Sequence, residues 1–353
     1  MAAVNREPIN EVLSNYDIKV EGIRTESYKD KKGVWWVQTP QGYKILKKIS
    51  NSEDTLKYIL SAVRHLTNNG IRIPKINSTR DGRDYVNISG TCYVLSDAIK
   101  GRNPSYESPR ELEAVIKEMA RFHRASAGFS LLPGTKPKVH LGIWIEDYQE
   151  QIDDMEKFYK QEKAQERTDA IGKLILQEFP KFYSRAVNAI NGLKGPEYKE
   201  WVDKVSKAGG LCHQDFAAGN LLLDSSNNMY VLDTDSITID IPARDIRKIF
   251  NKVMKKAGSW NIDLTRKMLR CYQSENPLSP SEWHVVKLDL MFPHLFIGAM
   301  NKYYYRRDKE WPYEKYLLRL REMSAFEKSI IQVLDNFESL LPENLAGRSE
   351  QLG

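Results

Sequence analysis

The sequence predicts an α+β chain: a strand-rich N-terminal hundred residues, then a mainly helical remainder. Three observations predict it. Short alternating apolar and polar runs, separated by tight-turn residues, crowd the first hundred positions. Beyond them, apolar residues recur at three- and four-residue spacing, the period of an amphipathic helix. A single hairpin pattern then interrupts the helices about two-thirds along the chain, with carboxylate and amide residues at its ends.

The elements follow in order. Val34-Trp-Trp-Val-Gln-Thr39 and Tyr43-Lys-Ile-Leu-Lys-Lys-Ile49 flank the turn Pro40-Gln-Gly42 and read as a hairpin. In its second strand Tyr43, Ile45 and Lys47 share one face, and Lys44, Leu46 and Lys48 the other. Ser52-Glu-Asp-Thr55 is capping chemistry for a helix through Leu56, Ile59, Leu60, Val63 and Leu66, ending at Gly70. Thr25 to Gly33 reads as a loop with one glycine. Tyr85-Val-Asn-Ile88 and Thr91-Cys-Tyr-Val-Leu95 form a second hairpin around Ser89-Gly90. Ser96-Asp97-Ala98-Ile99 reads as a hinge, and Lys100-Gly-Arg-Asn-Pro104 as a linker. A chain of 353 residues is long for one domain, so two units are expected. The expected division is an N-terminal lobe over 1–98, a connection at 99–105, a helical lobe over 106–341 and a loose tail over 342–353.

Ser108-Pro-Arg-Glu111 opens a helix whose stripe holds Leu112, Val115, Ile116, Met119, Phe122 and His123. That placement makes His123 a buried, hydrogen-bonded residue rather than a catalytic one. Helices are expected over 145–163, 165–191 and 197–208, with interruptions at Pro180 and Gly195-Pro196. Further helices are expected over 245–257, 264–274, 280–296, 314–324 and 326–340. Tyr303 to Trp311 interleaves aromatics with bases. It reads as a surface helix end, with contact to an anionic or sugar-like substrate as the alternative.

The hairpin lies at 211–236. Asn220-Leu-Leu-Leu223 and Met229-Tyr-Val-Leu232 are apolar runs around the turn residues Asp224 to Asn228. If it closes over Ser225 to Asn228, Asn220 opposes Asp233, and an amide oxygen meets a carboxylate at roughly 5 Å. Asp215 lies five residues before Asn220 and eighteen before Asp233. Mg²⁺ takes oxygen ligands, commonly one or two carboxylates plus substrate phosphates. An Asp that accepts a hydroxyl proton, with an Asn and an Asp on metal, is the parts list of kinase-type phosphoryl transfer. The plain reading, turn residues and an ordinary strand end, does not account for the whole set at this spacing. Leu232-Asp-Thr-Asp-Ser236 also fits a haloacid-dehalogenase phosphatase motif. That motif normally opens a parallel α/β domain, whereas here it closes an antiparallel hairpin.

His213-x-Asp215-x-x-x-x-Asn220 followed by Asp233-x-Asp235 resembles the aminoglycoside phosphotransferase and choline kinase superfamily. Gln214 stands where that motif has Gly, and Thr234 where it has Phe or Trp. Along the whole chain, with Leu66-Thr-Asn-Asn-Gly70 and Phe122-His-Arg-Ala-Ser126, the sequence resembles the CotS-like spore coat proteins within that superfamily. The resemblance implies a protein-kinase-like two-lobe fold, with a small antiparallel-sheet N-lobe and a large mainly helical C-lobe. It implies ATP with its base at the backbone of Ser96, Asp97 and Ala98, and its phosphates neutralised by Lys47, with Lys44 or Lys48 as alternatives. It implies Mg²⁺ on Asn220 and Asp233, Asp215 as the catalytic base and His213 as a brace of the catalytic loop. Asp235 would be a second metal ligand, a substrate contact or a brace, and Asp245 would brace the loop from the next helix. Lys31 and Lys32 would be phosphate contacts or solvated turn residues. The implied acceptor is a small hydroxylated molecule such as a sugar, aminocyclitol or amino alcohol. Two departures stand out: the 53–66 helix has no Glu in its middle, only Glu53 and Asp54 at its start, and there is no Gly-rich phosphate loop. They leave a catalytically weak or inactive structural component of the spore coat as the alternative.

Composition narrows the partners. The net charge of +6 is mild and spread along the chain, whereas a nucleic-acid binder would concentrate Lys and Arg on one face. Cys92, Cys212 and Cys271 are odd in number and far apart, which suits small core residues and gives no disulfide framework. The N-terminus has no apolar leader pattern, and no run of about 18 apolar residues occurs. The expectation is therefore no membrane partner and synthesis in a reducing cytoplasm. By the resemblance that cytoplasm is the mother cell's, followed by assembly with other coat proteins on the spore.

Overall fold

In this computed structural model the described residues are 7–29, 32–307 and 310–342. The N-terminal elements are α1 (Ile9–Leu13), β1 (Gly22–Lys29), β2 (Lys32–Thr39), β3 (Gly42–Ile49), α2 (Glu53–Asn68), β4 (Val86–Ile88) and β5 (Thr91–Asp97). Then come α3 (Pro109–Ala125), α4 (Trp144–Lys163), α5 (Ala170–Leu193), α6 (Pro196–Ala208), β6 (Leu211–Cys212), β7 (Leu221–Leu223), β8 (Met229–Val231) and β9 (Thr238–Ile239). The chain continues through α7 (Ala243–Lys256), α8 (Ile262–Glu275), α9 (Pro280–Met291), α10 (His294–Tyr304), α11 (Tyr313–Ser329), α12 (Ile331–Asp335) and α13 (Phe337–Leu340). Two compact units emerge. One holds the described residues up to Ser105 with Gly128–Lys138 and Ala217–Thr238; the other holds Tyr106–Ala127, Val139–Phe216 and the described residues from Ile239 on. The 211–236 segment is thereby divided at Phe216/Ala217.

The first unit is built on a five-stranded antiparallel sheet in the order β1-β2-β3-β5-β4. Alternation decides its faces. Trp35, Val37, Leu46, Tyr93 and Leu95 pack with Val12, Leu13 and Tyr16 in one apolar cluster. Gly33 is required there, because a Cβ would sit 2.2 Å from the Trp35 ring. The neighbouring residues of β2, β3 and β5 point to the other face, where Leu56 and Leu60 of α2 pack with Ile49, Tyr85 and Cys92. Ser52 caps α2 by accepting from Thr55 N at 3.3 Å. Thr25 to Gly33, expected as a loop, is instead paired strand: Gly22↔Gln38 through Lys29↔Lys32, with a bulge between Thr25 and Ser27. Its β-branched and aromatic residues pair across β2, and the turn shrinks to a few residues; Lys31 lies outside the described residues. The short α1 has no counterpart in the sequence reading. Five residues carry too little periodicity to announce a helix, and packing of Val12 and Leu13 holds it.

The second unit is helical. Helix α5 begins at Ala170 with Asp169 as its cap, so the expected start at 165 is five residues early. It also runs unbroken through Pro180. Losing one backbone bond there costs about 3 kcal/mol, which burial of Ile175, Phe182, Ala186 and Ile190 along the helix offsets. The single helix expected over 280–296 is two, because Phe292, before Pro293, is extended with ψ 128°. Conversely α11 runs without a break from 313 to 329. Helix α10 ends at Tyr304, and Tyr305 beyond it is exposed, as expected for a surface helix end; Asp308 and Lys309 of that stretch lie outside the described residues. Among the described residues no helix is long and apolar enough to cross a membrane. The three cysteines are free and buried.

Candidate active site

The hairpin forms, one residue out of the expected register. Strands β7 and β8 pair Leu221↔Val231, Leu222↔Tyr230 and Leu223↔Met229. Asn220 therefore opposes Leu232, whose N–H donates to Asn220 O at 2.8 Å, and Asp233 lies one step further. The turn sets this. Asp224 N donates to Asn228 O at 3.0 Å, closing the loop over 225–227, and Asn227 takes the left-handed φ of 60° that such a loop needs. The Asp224 carboxylate locks it by accepting from Ser226 N and Asn228 N, both at 2.8 Å. A one-residue slip would turn Asp233 to the wrong face of a regular strand. Asp233 instead leaves the strand in a left-handed conformation, φ 54° and ψ 53°, and a 3₁₀ turn over Thr234–Ser236 follows. Asn220 closes another such turn over Ala218–Asn220. Both side chains then line one cavity.

That cavity, of about 670 Å³, lies within the first unit. Its apolar wall includes Ile45, Leu60, Val63 and Val94; its polar end includes Lys47, Asn220, Asp233 and Asp235. Of the three candidate lysines on β3, Lys47 alone lines it. Lys47 Nζ lies 3.2 Å from Asp233 Oδ1. Lys44 Nζ is engaged by Asp97 Oδ1 at 2.7 Å and Asn77 Oδ1 at 2.6 Å, and Lys48 Nζ by Glu7 Oε1 at 2.5 Å. Strand alternation separates them, placing Lys44 and Lys48 with buried Leu46. Glu53, at the start of α2, is turned away from the cavity: its carboxylate accepts from Tyr85 Oη and Asn87 Nδ2, each at 2.6 Å. These donors hold its pKa below the ordinary carboxylate value, the Tyr85 hydroxyl most of all. The face that α2 presents to the cavity is Leu56, Ile59, Leu60 and Val63.

Ser96, Asp97, Ala98 and Ile99 line the same cavity. Asp97 N donates to Lys75 O at 2.9 Å and Ala98 N to Tyr43 O at 3.0 Å. Among the described residues the Ile99 N–H has no acceptor. The linker behind it is fastened to the hairpin: Arg102 and Leu223 exchange backbone bonds of 3.0 and 2.8 Å. A Cβ on Gly101 would fall 2.5 Å from Leu223 O, so only glycine allows that approach. Asn103 Nδ2 donates to Leu221 O at 2.7 Å and Ala218 O at 3.1 Å, which fixes the turn carrying Asn220. Lys138 Nζ donates to Asp235 O at 2.6 Å, and burial pulls its pKa below the ordinary lysine value. Asn103 and Lys138 escaped the sequence reading; both act on backbone oxygens, which leave no trace in residue spacing.

His213, Gln214 and Asp215 belong to the second unit. His213 is fully buried, with Phe122 and Phe216 edge-on to its ring. Its Nδ1 accepts from Asp215 N at 3.3 Å. Gln214 is left-handed, φ 70°, a conformation that favours glycine. Its strain is held by Asp245, the third residue of α7, which accepts from His213 N at 2.6 Å and Gln214 N at 2.9 Å. His123 Nε2 also reaches Asp245, at 3.2 Å, and its Nδ1 meets Tyr272 Oη at 2.9 Å. His123 is thus the buried, hydrogen-bonded residue expected from its stripe. Burial opposes the Asp245 charge, yet the His123 hydrogen bond and the neighbouring charges hold its pKa below the ordinary value. Asp215 keeps a half-exposed carboxylate in contact with Lys252 of α7. One turn earlier, Lys248 donates to Gln214 O at 2.8 Å and Oε1 at 2.7 Å. Lys248 and Lys252 also escaped the reading, although their spacing from Asp245 puts them on one helix face.

Oxygen donors at the polar end of the cavity suit a hard divalent cation: the amide of Asn220 and the carboxylates of Asp233 and Asp235, with no sulfur or imidazole. Known proteins resemble this chain as follows. A family model described as "Spore coat putative kinase YutH" matches residues 10–337. Spore coat protein S of Bacillus subtilis (strain 168) is 30% identical over 335 residues, 95% of this chain and 94% of that one. The crystal structure of an aminoglycoside phosphotransferase from Alicyclobacillus acidocaldarius matches with a TM-score of 0.76 at 17% identity, over 93% of this chain and 96% of that one. A spectinomycin phosphotransferase in complex with ADP and spectinomycin matches with a TM-score of 0.57 at 13% identity, over 92% and 97%. The likeness shows the fold, the two-lobe α+β kinase-like architecture that the sequence predicts.

Proposed function

This chain belongs to the spore coat YutH family, kinase-like proteins of the phosphotransferase superfamily, and from that premise we propose that it is an ATP- and Mg²⁺-dependent phosphotransferase acting on a hydroxyl of a small molecule. The observation that carries the reading is the convergence of Lys47, Asn220 and Asp233 on one cavity bordered by Ser96 to Ile99. An apolar wall beside a strand end suits a purine ring, and the Ile99 N–H is a donor available to it. ATP would supply the phosphoryl group and Mg²⁺ the charge that offsets its phosphates. Asn220 and Asp233 would hold the metal, with Asp235 as a further ligand or a brace. Lys47 would exchange Asp233 for phosphate oxygens once a cation occupies that carboxylate.

Asp215 would accept a hydrogen bond from the acceptor hydroxyl and take its proton. The hydroxyl oxygen bonds to the γ-phosphorus, the bond from that phosphorus to the β–γ bridging oxygen breaks, and the electron pair leaves with ADP. Such a transition state needs positioning more than covalent help. Asp245, His213 and Lys248 would contribute by fixing the backbone that carries Asp215. His213, buried and ringed by aromatics, is a brace on this reading. The same protein would join the coat with other coat proteins after synthesis in the mother cell.

A second reading, a kinase-fold coat component with little turnover, is favoured by the apolar cavity face of α2 and the Lys47–Asp233 pairing. ATP consumption measured against a panel of hydroxylated acceptors separates the two. The phosphotransferase reading expects acceptor-stimulated turnover, at least roughly 100-fold lower in Asp215→Asn with ATP affinity nearly unchanged. A parallel fall in ATP affinity would show that Asp215 holds nucleotide instead.

A further inference from the structure

Helix α7 meets the segment of Asp215 residue by residue. Asp245, Lys248 and Lys252 stand at spacings of three and four, so they share one helix face. Asp245 accepts from His213 N and Gln214 N, and Lys248 Nζ donates to Gln214 O and Oε1. Lys252 Nζ donates to Asp215 Oδ1. The first two contacts fix Gln214 and the backbone around it. The third alone engages the carboxylate of the candidate base. Among the described residues Lys252 makes no other hydrogen bond or ion pair. Both partners keep access to solvent, the Asp215 side chain at 53% exposure and that of Lys252 at 34%. A pair this exposed adds little to stability, so its consequence lies in what the cation does beside Asp215.

Resting on the phosphotransferase reading, we infer that Lys252 is a catalytic residue. As Asp215 takes the acceptor proton, Lys252 turns from that carboxylate to the oxygens of the transferring phosphoryl group. Charge balance favours the exchange. Before transfer Lys252 is paired with an ionised carboxylate. In the step the acceptor oxygen bonds to the γ-phosphorus. The bond from that phosphorus to the β–γ bridging oxygen breaks, its electron pair leaves with ADP, and the hydroxyl proton moves to Asp215. Asp215 is then neutral, and Lys252 loses its counter-ion just as a phosphate ester forms beside it. A cation shared with phosphate oxygens is a strong, charge-assisted contact. Reach suffices: a hydroxyl hydrogen-bonded to Asp215 lies about 2.7 Å from the carboxylate, and Lys252 touches that same carboxylate. The phosphoryl oxygens are then within the swing of a flexible four-carbon stem. Lys248, tied to both oxygens of Gln214, has no such freedom.

The test uses the full chain with Mg·ATP and four acceptors: water, D-glucose, myo-inositol and ethanolamine. Wild-type turnover is measured first. Its absence with every acceptor removes the phosphotransferase reading and this inference with it. Given turnover, Lys252→Met should lower kcat roughly 100-fold, with KM for ATP within about 3-fold and little change in the unfolding midpoint. Lys252→Arg, which keeps the charge, should retain at least about a tenth of wild-type kcat. Lys252→Met placed in the Asp215→Asn background separates action on the phosphoryl group from action through the base. A further loss of roughly 10-fold in kcat is expected there. Calorimetry of Mg·ADP with aluminium fluoride, which mimics the transferring phosphoryl group, reads the contact without turnover. Fluoride should tighten Mg·ADP binding about 10-fold less in Lys252→Met than in the wild type. Unchanged kcat in Lys252→Met, or equal tightening by fluoride in the two proteins, would overturn the inference and leave the phosphotransferase reading standing. No further loss in the Asp215→Asn background would overturn it too, by reducing Lys252 to a positioning residue for Asp215.

Discussion

Replacing Asp245 with asparagine tests the scaffold on which the candidate base rests. The Asp245 carboxylate is fully buried and accepts from His213 N at 2.6 Å, Gln214 N at 2.9 Å and His123 Nε2 at 3.2 Å. An amide in its place turns an NH₂ toward one of these donors. One charge-assisted bond worth about 1.5–3 kcal/mol is then lost, and a buried N–H is left without an acceptor at a further cost of about 1–3 kcal/mol. Removing a buried charge recovers some of this, so the expected net loss is about 3 kcal/mol. It falls where the backbone is already strained, at left-handed Gln214. Hydrogen exchange of the His213 and Gln214 amides should then accelerate roughly 100-fold, at 1.36 kcal/mol per decade. Urea unfolding followed by tryptophan fluorescence should shift in the same direction. Unchanged protection of both amides, with a shift below about 1 kcal/mol, would refute the bracing argument.

Three further outcomes follow from the same geometry. Lys47→Met should leave stability within about 1 kcal/mol, because its pair with Asp233 is partly exposed, yet weaken nucleotide binding about 10-fold or more. Lys48→Met should do the reverse, since its partner Glu7 is buried against Tyr28 and Tyr93; titration calorimetry and unfolding on both variants check the pair. His294, 2.8 Å from Asp289, has its pKa pulled down to about 4 by burial and by Arg247. The fold therefore prefers neutral His294: its contribution is full above pH about 6.5 and is lost as pH falls toward 4, about 2 kcal/mol between pH 7 and pH 5. Unfolding of His294→Asn at both pH values should show a correspondingly smaller difference than the wild type.

Much of the fold was legible because strands and helices here obey their periods. The 43–49 alternation put Lys47 on the face opposite Leu46, and the structure keeps it there. The hairpin was legible from its apolar runs and turn residues, but its register was not. Asp224 closes the loop one residue early, and the left-handed turn at Asp233 restores what the slip would have taken away. Neither can be counted from spacing. The 25–33 strand was lost because charged residues masked its pairing, and the helix break at Pro293 because its apolar run continues past it. Tertiary partners that act on backbone atoms, Asn103 and Lys138, stayed invisible for a different reason: nothing in a side chain announces that a carbonyl will need it. The motif difference at Gln214 gains a physical meaning, since the position is left-handed and the carboxylate of Asp245 with Lys248 supplies what glycine's freedom otherwise would.

The central claim is that Asp233 and Asn220 hold a metal that carries nucleotide, and titration calorimetry of ATP with and without Mg²⁺ tests it most directly. Asp233→Asn is the variant to pair with the wild type, because asparagine tolerates the left-handed backbone at this position and leaves the fold unstrained. The account predicts Mg²⁺-dependent ATP binding by the wild type and a loss of roughly 100-fold or more in the variant. ATP binding that is absent, indifferent to Mg²⁺, or equal in the two proteins would contradict it.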